Sequence, residues 1–201
     1  MAGMTDTAQF PAEAQTVLDV IQRRRSVDLP LLRPDPIARE VLEAILTAGT
    51  WAPNHGRTEP WGFTVFTGEG RARLGEAFAQ AHRESAAPDK DSETALEAQR
   101  ARVWMASAWI SLELRVPPTS KMPEWEEVVA VGCAAQNMML AATAFGLVGK
   151  WTSGPAFISP VTARELGAPR LLGFVYLAHP GADLPVRTRQ PVAEKVKWVG
   201  E

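Results

Sequence analysis

From Val128 to Gly149 the chain carries no charged residue, and about 20 apolar residues are enough to cross a bilayer as a helix. Such a segment either spans a membrane or must be covered on nearly every side by the rest of a fold. Two observations favour cover. Gln136 and Asn137 sit together in its middle, and most of the remainder is Ala, Gly and Met, which insert only weakly into hydrocarbon. It reads as a helix buried almost all round in a soluble protein, with no membrane partner. Pro123, Glu124, Glu126 and Glu127 precede it, a proline-led acidic first turn that suits the positive end of a helix dipole. The helix is expected over 124–146. A chain of 21.9 kDa has little else to cover it with, which points to a second subunit.

The 201 residues fit one domain, 1–201, with a flexible N-terminus at 1–11 and a C-terminal arm at 184–201. Met1 to Gln9 show neither the basic nor the apolar region of a signal peptide. Val17, Leu18 and Ile21 recur at helical spacing and predict a helix over 12–24. Asp35-Pro36-Ile37 reads as an N-cap with proline at the first helical position, opening a helix with the stripe Val41, Leu42, Ile45 and Leu46. Residues 62–67 alternate as a strand, and a helix follows over 71–83. Pro88 to Ser92 is a polar break before another helix reaching Trp104. Strands are expected at 108–116 and 171–178, and Ser159-Pro160 opens a short helix ended by Gly167. Long helices between few strands, without strict βα alternation, indicate an α+β fold.

The charge balance is 21 Lys and Arg against 23 Asp and Glu, net −2. This gives no global electrostatic case for nucleic acid or an anionic membrane. The single cysteine, Cys133, excludes an internal disulfide scaffold and indicates a reducing, cytoplasmic setting. It reads as a small buried hydrophobe on the apolar helix. Gly68-Glu69-Gly70 occupies the place of a dinucleotide fingerprint, but Arg73 stands where the third glycine belongs. Trp151 after Gly149-Lys150 rules out a phosphate loop. The three histidines share no metal-ligand spacing, so no metal site is expected, and no nucleophile elbow is present.

Three polar or aromatic segments remain. Arg23-Arg24-Arg25-Ser26 ends the first helix, where guanidinium groups beside a hydroxyl suit a phosphate monoester and also offset the helix dipole. The loop from Trp51 to Phe63 is dense in Asn, His, Arg and Thr, side chains able to address a heteroaromatic edge. Trp61 and Phe63 are expected to anchor its end in the core. Gly149-Lys150-Trp151-Thr152-Ser153-Gly154-Pro155 follows the apolar helix, and its small residues permit close backbone approach to a ligand. Trp151 could wall a ring there or plug the core. The other tryptophans singled out, Trp104 and Trp109, read as core.

An R-R-S at the end of the first helix, an A-P-x-H-x-x-x-x-P-W-x-F loop after the second, and a G-x-W-x-S-G segment after a long Ala/Gly-rich helix resemble the FMN-dependent nitroreductase family, in its short single-domain NAD(P)H branch. The likeness runs over about 17–180. It implies an antiparallel sheet flanked by helices, in an intertwined homodimer whose interface helix is 124–146 and whose arm packs on the partner subunit. It implies FMN as cofactor and NAD(P)H as co-substrate, with ping-pong transfer to a nitroaromatic or quinone-like acceptor. Arg24, Arg25 and Ser26 would hold the phosphate and ribityl end. Trp51 and His55 would stand near the flavin, and Trp151, Thr152 and Ser153 would line its reactive edge. No side chain is assigned as a catalytic acid or base. Arginine is common in the family where Trp51 stands, and Arg189, with Arg187 as the weaker candidate, is expected to supply that charge from the arm. Arg57 is the candidate cation near the flavin N1/O2 edge. Two other readings remain open, a flavin-binding sensor or carrier without turnover and a helical dimerisation scaffold. Within the family, dehalogenation and flavin fragmentation also occur.

Overall fold

The computed structural model describes residues 10–87, 92–184 and 187–200. Most of the expected flexible N-terminus (1–9), most of the polar break (88–91) and residues 185, 186 and 201 of the arm lie outside them. Two antiparallel strands form the centre, β4 (Ala108–Leu114) and β6 (Leu171–Pro180). All seven residues of β4 are buried, as a strand covered on both faces requires. β1 (Leu32–Arg33) and β5 (Val148–Thr152) pair with β6, while β2 (Trp61–Gly62) and β3 (Val65–Thr67) pair with β4, all antiparallel.

The period of two along the strands sorts their side chains into two cores. Ile110, Leu112, Val175 and Leu177 face α2 (Arg39–Thr50) and α5 (Glu124–Ala144). Trp109, Phe174 and Tyr176 face the other way, joined by Phe78 of α3 (Arg71–Ser85), Phe157 of α6 (Pro155–Ile158) and Ala163 of α7 (Pro160–Leu166). Phe78 and Phe157 meet edge to face at 4.8 Å, the arrangement that ring quadrupoles favour. α4 (Glu93–Arg102) packs on α3, its first turn capped by the Ser92 hydroxyl accepting from the Ala95 N–H at 3.2 Å. α1 (Ala12–Arg23) lies outside and buries none of its residues.

The expected strand at 62–67 is split into β2 and β3. Between them the Thr64 N–H donates to the Ser111 hydroxyl at 2.8 Å instead of continuing the ladder. α2 begins at Arg39, with Ala38 as the flanking residue, not at Asp35. The Asp35 carboxylate pairs with the Arg33 guanidinium instead. Ser159 does cap α7, accepting from the Val161 N–H at 3.1 Å, and Gly167 ends that helix at φ 69°. Trp61 and Trp109 are buried, but Trp104 is 37% exposed, with the Arg71 guanidinium over its ring.

α5 is covered on one side only. Ala130, Val131, Ala134, Ala135, Met138 and Ala142 are buried, while Trp125, Val129 and Phe145 stay more than half exposed. Close packing on α2 requires Gly49, where a Cβ would come within 2.8 Å of Met138 Cγ. By length and composition α5 is apolar enough to cross a membrane, yet one side of it is built into the core.

Candidate cofactor site

Arg24 is the residue at which α1 ends, its backbone turning from helical to extended. The chain then runs alongside β5, where Ser26 bridges Gly149 in parallel and the Val27 N–H donates to the Gly149 carbonyl at 3.3 Å. From the sheet, the Tyr176 hydroxyl donates to the Val27 carbonyl at 2.9 Å. Burial, and then the neighbouring Asp28 carboxylate, push that phenol well above its ordinary pKa, so it stays a donor. The Arg24-Arg25-Ser26 turn is thereby pinned to the outer edge of β5.

A cavity of about 540 Å³ opens beside this turn, lined by Arg24, Arg25, Arg187 and Arg189 together with Ile21, Gln22 and Gln136. Among the described residues no carboxylate lines it. The Arg24 guanidinium is held below its ordinary pKa, first by burial and then by the positive charges of Arg189 and Arg25. Four like charges converging without a counter-ion are unfavourable until an anion joins them, and planar forks of this kind match phosphate oxygens in pairs. Arg189, nominated from the sequence, thus reaches the same cavity as Arg24 and Arg25, and so does Arg187. Gln22 and Gln136 were not foreseen. The signal for Gln136 was present, a polar residue in the middle of an otherwise apolar helix.

The segment 149–155 is part of strand β5 for its first four residues. It is an edge strand among the described residues: β6 covers one side, and on the other Ser26 bridges Gly149. β5 and β6 approach too closely for side chains at two points. A Cβ on Gly149 would lie 2.1 Å from the Tyr176 carbonyl oxygen, and one on Gly173 (φ +124°) would lie 2.3 Å from that of Thr152. Trp151 is half-buried, its indole N–H donating to the Leu172 carbonyl at 3.0 Å and its ring lying against Gly132 of α5. It therefore packs on the core while remaining partly open. Thr152 is half-buried and Ser153 exposed.

The loop after α2 is tied to the opposite end of α5. His55 Nδ1 lies 2.6 Å from Glu126 Oε2. Thr58 and Ser120 donate to the two oxygens of the buried Glu127 at 2.7 and 2.8 Å. The loop turns through left-handed backbone at Gly56 (φ 66°), Arg57 (φ 55°) and Glu59 (φ 44°). For the two non-glycine residues that conformation costs about 1–3 kcal/mol each. Trp51 at its start is 81% exposed. Gln136, at the arginine cluster, stands ten residues along α5 from Glu126, or about 15 Å of helix. Within one chain, then, Arg24, Arg25 and Arg189 line one cavity, and the neighbouring Ser26 bridges Gly149 of β5, the strand that leads on to Trp151 and Thr152. Trp51, His55 and Arg57 stand apart from the arginine cluster.

A further carboxylate escaped the sequence reading. Glu113 of β4 is 1% exposed and accepts from Ser111 at 2.6 Å, Thr64 at 2.8 Å and Arg115 Nε at 2.9 Å. It braces the break between β2 and β3.

The nitroreductase family model matches residues 21–179. The Escherichia coli K12 protein named "Putative NAD(P)H nitroreductase YdjA" is 34% identical over 166 residues, which cover 81% of this chain and 87% of that protein. A similarly named protein of Haemophilus influenzae is 32% identical, over 74% of this chain and 80% of its own. Among solved structures, the nitroreductase-like family protein from Bacillus cereus superposes with a TM-score of 0.79, at 24% identity and over 99% of this chain and 100% of that one. A Bacteroides fragilis nitroreductase with bound FMN gives 0.69 at 27% identity, over 91% and 98%. The fold is nitroreductase-like α+β, and the chain belongs to the nitroreductase family.

Proposed function

We propose that this chain is an NAD(P)H-dependent FMN oxidoreductase acting on nitroaromatic or quinone-like acceptors. The single observation that carries the reading is the cavity where Arg24, Arg25, Arg187 and Arg189 converge with no carboxylate among the described residues that line it. A phosphate monoester carries most of two negative charges at neutral pH and several acceptor oxygens, so it satisfies those donors together. The FMN bound to the Bacteroides fragilis relative supports the choice of cofactor, as do the NAD(P)H names of the bacterial relatives.

In this reading Arg24, Arg25, Ser26 and Arg189 hold the phosphate and ribityl end. The isoalloxazine ring lies toward Trp151, Thr152 and Ser153, where Trp151 forms a wall and the free edge of β5 offers backbone donors. Bound FMN supplies the hydride chemistry. The protein supplies position and electrostatics, with NAD(P)H and the acceptor using one slot in turn, a ping-pong scheme. Trp51, His55 and Arg57 act on the flavin of the other subunit. Two α5 helices pairing antiparallel through their open faces bring the Glu126 end of one beside the Gln136 end of its partner, and Arg57 then adds positive charge at the ring.

The test is the absorbance spectrum of the purified protein, followed by NADH and NADPH oxidation with menadione or nitrobenzene. Flavin bands, FMN released on denaturation and steady turnover are expected. A colourless protein that takes up no added FMN overturns the cofactor assignment. A yellow protein that oxidises neither nucleotide overturns the enzymatic one.

A further inference from the structure

Beyond Ser153 the sheet end carries a second cavity, of about 520 Å³. Ile158, Ala163, Pro169, Leu171 and Leu172 make its walls apolar, and among the described residues Arg170 is the one charged side chain lining it. Pro169 and Arg170 also line a neighbouring cavity of about 410 Å³. Arg170 is well placed to define a ligand position. Its backbone carbonyl accepts the Leu114 N–H at 2.9 Å, which fixes its main chain to the end of β4. Its guanidinium gives Nη1 to Glu124 Oε1 at 2.6 Å. Among the described residues its other N–H groups make no hydrogen bond, of the five a guanidinium carries. Both partners of that ion pair are more than half exposed, and exposed pairs of this kind net little stability. A ligand carboxylate can therefore join or displace Glu124 at small cost.

We propose that this cavity is an acceptor subsite for flat aromatic carboxylates, with the ring against the apolar wall, the carboxylate on Arg170, and the reducible group toward Ser153. This rests on the reading above, in which Ser153 borders the flavin. Arg170 is then a specificity-determining residue that favours anionic aromatic acceptors over neutral ones, and Glu124 is an internal competitor for its charge.

The experiment compares 4-nitrobenzoate with nitrobenzene as acceptor for the FMN-loaded holoenzyme. Arg170→Ala is expected to raise the KM for 4-nitrobenzoate about 10- to 100-fold, the range for losing a hydrogen bond to a charged group. Its kcat should hold, and the KM for nitrobenzene should shift less than about threefold, since a ligand without a carboxylate makes no charge-assisted bond there. Glu124→Gln should act in the opposite direction and lower the KM for 4-nitrobenzoate alone. Arg170→Lys, which keeps the charge without the planar fork, should fall between wild type and Arg170→Ala. Equal shifts for the two acceptors in Arg170→Ala, or an unchanged KM for 4-nitrobenzoate, overturn the proposal. Menadione turnover separates the two layers of inference. If the wild-type holoenzyme reduces menadione while the Arg170 predictions fail, only the subsite falls. If it reduces no acceptor, the functional reading beneath it falls.

Discussion

Arg24 and Arg189 line one cavity but are not equivalent. Arg24 is half-buried at the end of α1, while Arg189 is exposed on the arm. A charge-assisted hydrogen bond to phosphate is stronger where water is excluded. Arg24→Ala should therefore weaken FMN binding by about 2 kcal/mol, roughly thirtyfold, and Arg189→Ala by about 1 kcal/mol. Quenching of flavin fluorescence measures both, and equal FMN affinity in Arg189→Ala and wild type would remove the arm from the site. Glu113 makes a separate prediction about pH. Burial alone would raise its pKa, but hydrogen bonds from Ser111, Thr64 and Arg115, with the Arg115 charge, outweigh burial and hold it below the ordinary carboxylate value. The folded-state pKa thus lies below the unfolded one. The carboxylate contributes stability above the unfolded value, about 4.3, and loses it as pH falls through the lower folded value. Glu113→Gln should cost about 1–3 kcal/mol at neutral pH and flatten the acid limb of a urea-midpoint-against-pH curve. An unchanged acid limb would show that Glu113 titrates alike in both states. The contrast between these residues also bears on what a sequence can show. Arg24 and Arg189 belong to motifs, whereas Glu113 gains its setting only when β4 meets Thr64, 49 residues away in sequence.

Strand β5 is the element on which the candidate site turns. Gly149 sits where the Tyr176 carbonyl leaves no room for a side chain, 2.1 Å from the position of a Cβ. The obstacle is backbone, which cannot swing aside as a side chain can, so Gly149→Ala should cost about 2–3 kcal/mol by overpacking. It should also weaken FMN binding, because Ser26 and Val27 are registered on the same residue. Thermal denaturation with and without FMN checks both effects, and a variant as stable as wild type would mean that β5 has slack against β6. This strand was the least legible element. Its sequence, Val-Gly-Lys-Trp-Thr, has no clear alternation, and its partner β6 begins 19 residues after it ends, so no hairpin signal marks it. α5 was the most legible, since a charge-free run between an acidic first turn and a glycine admits few alternatives. Even there the sequence could not show which side stays open. For α2, Asp35 has the pattern of a cap, but in the fold its carboxylate pairs with Arg33 and the helix starts at Arg39.

At the scale of the whole molecule, the open surfaces argue for a second subunit. α1 is twelve residues long and buries none of them, although helices shorter than about 12–15 residues are marginal in water without tertiary cover. Its Ile21 is 45% exposed and its Val17 56%, the open face of α5 shows Trp125 and Val129, and the arm shows Trp198 at 76% and Val199 at 88%. Apolar surface on this scale marks an interaction site rather than ordinary solvent-facing scatter. A self-complementary pairing of α5 with α5, with each arm laid over the partner, would cover all three and place each loop at 51–59 near the other subunit's cradle. Val129→Glu tests this without touching the arginine cluster. A charge at the centre of a desolvated interface costs about 2 kcal/mol or more per site, and the twofold axis applies it twice. Light scattering should therefore show wild type as a dimer and Val129→Glu shifted to the 21.9 kDa monomer at micromolar concentration. Flavin affinity should fall with it, because Trp51, His55 and Arg57 are lost from each site although every residue that holds the phosphate is intact. Far-UV circular dichroism distinguishes a folded monomer from a collapsed chain. A monomeric wild type would overturn the shared-site arrangement. So would a Val129→Glu monomer that binds FMN as tightly as the dimer, because each cradle would then be complete within one chain.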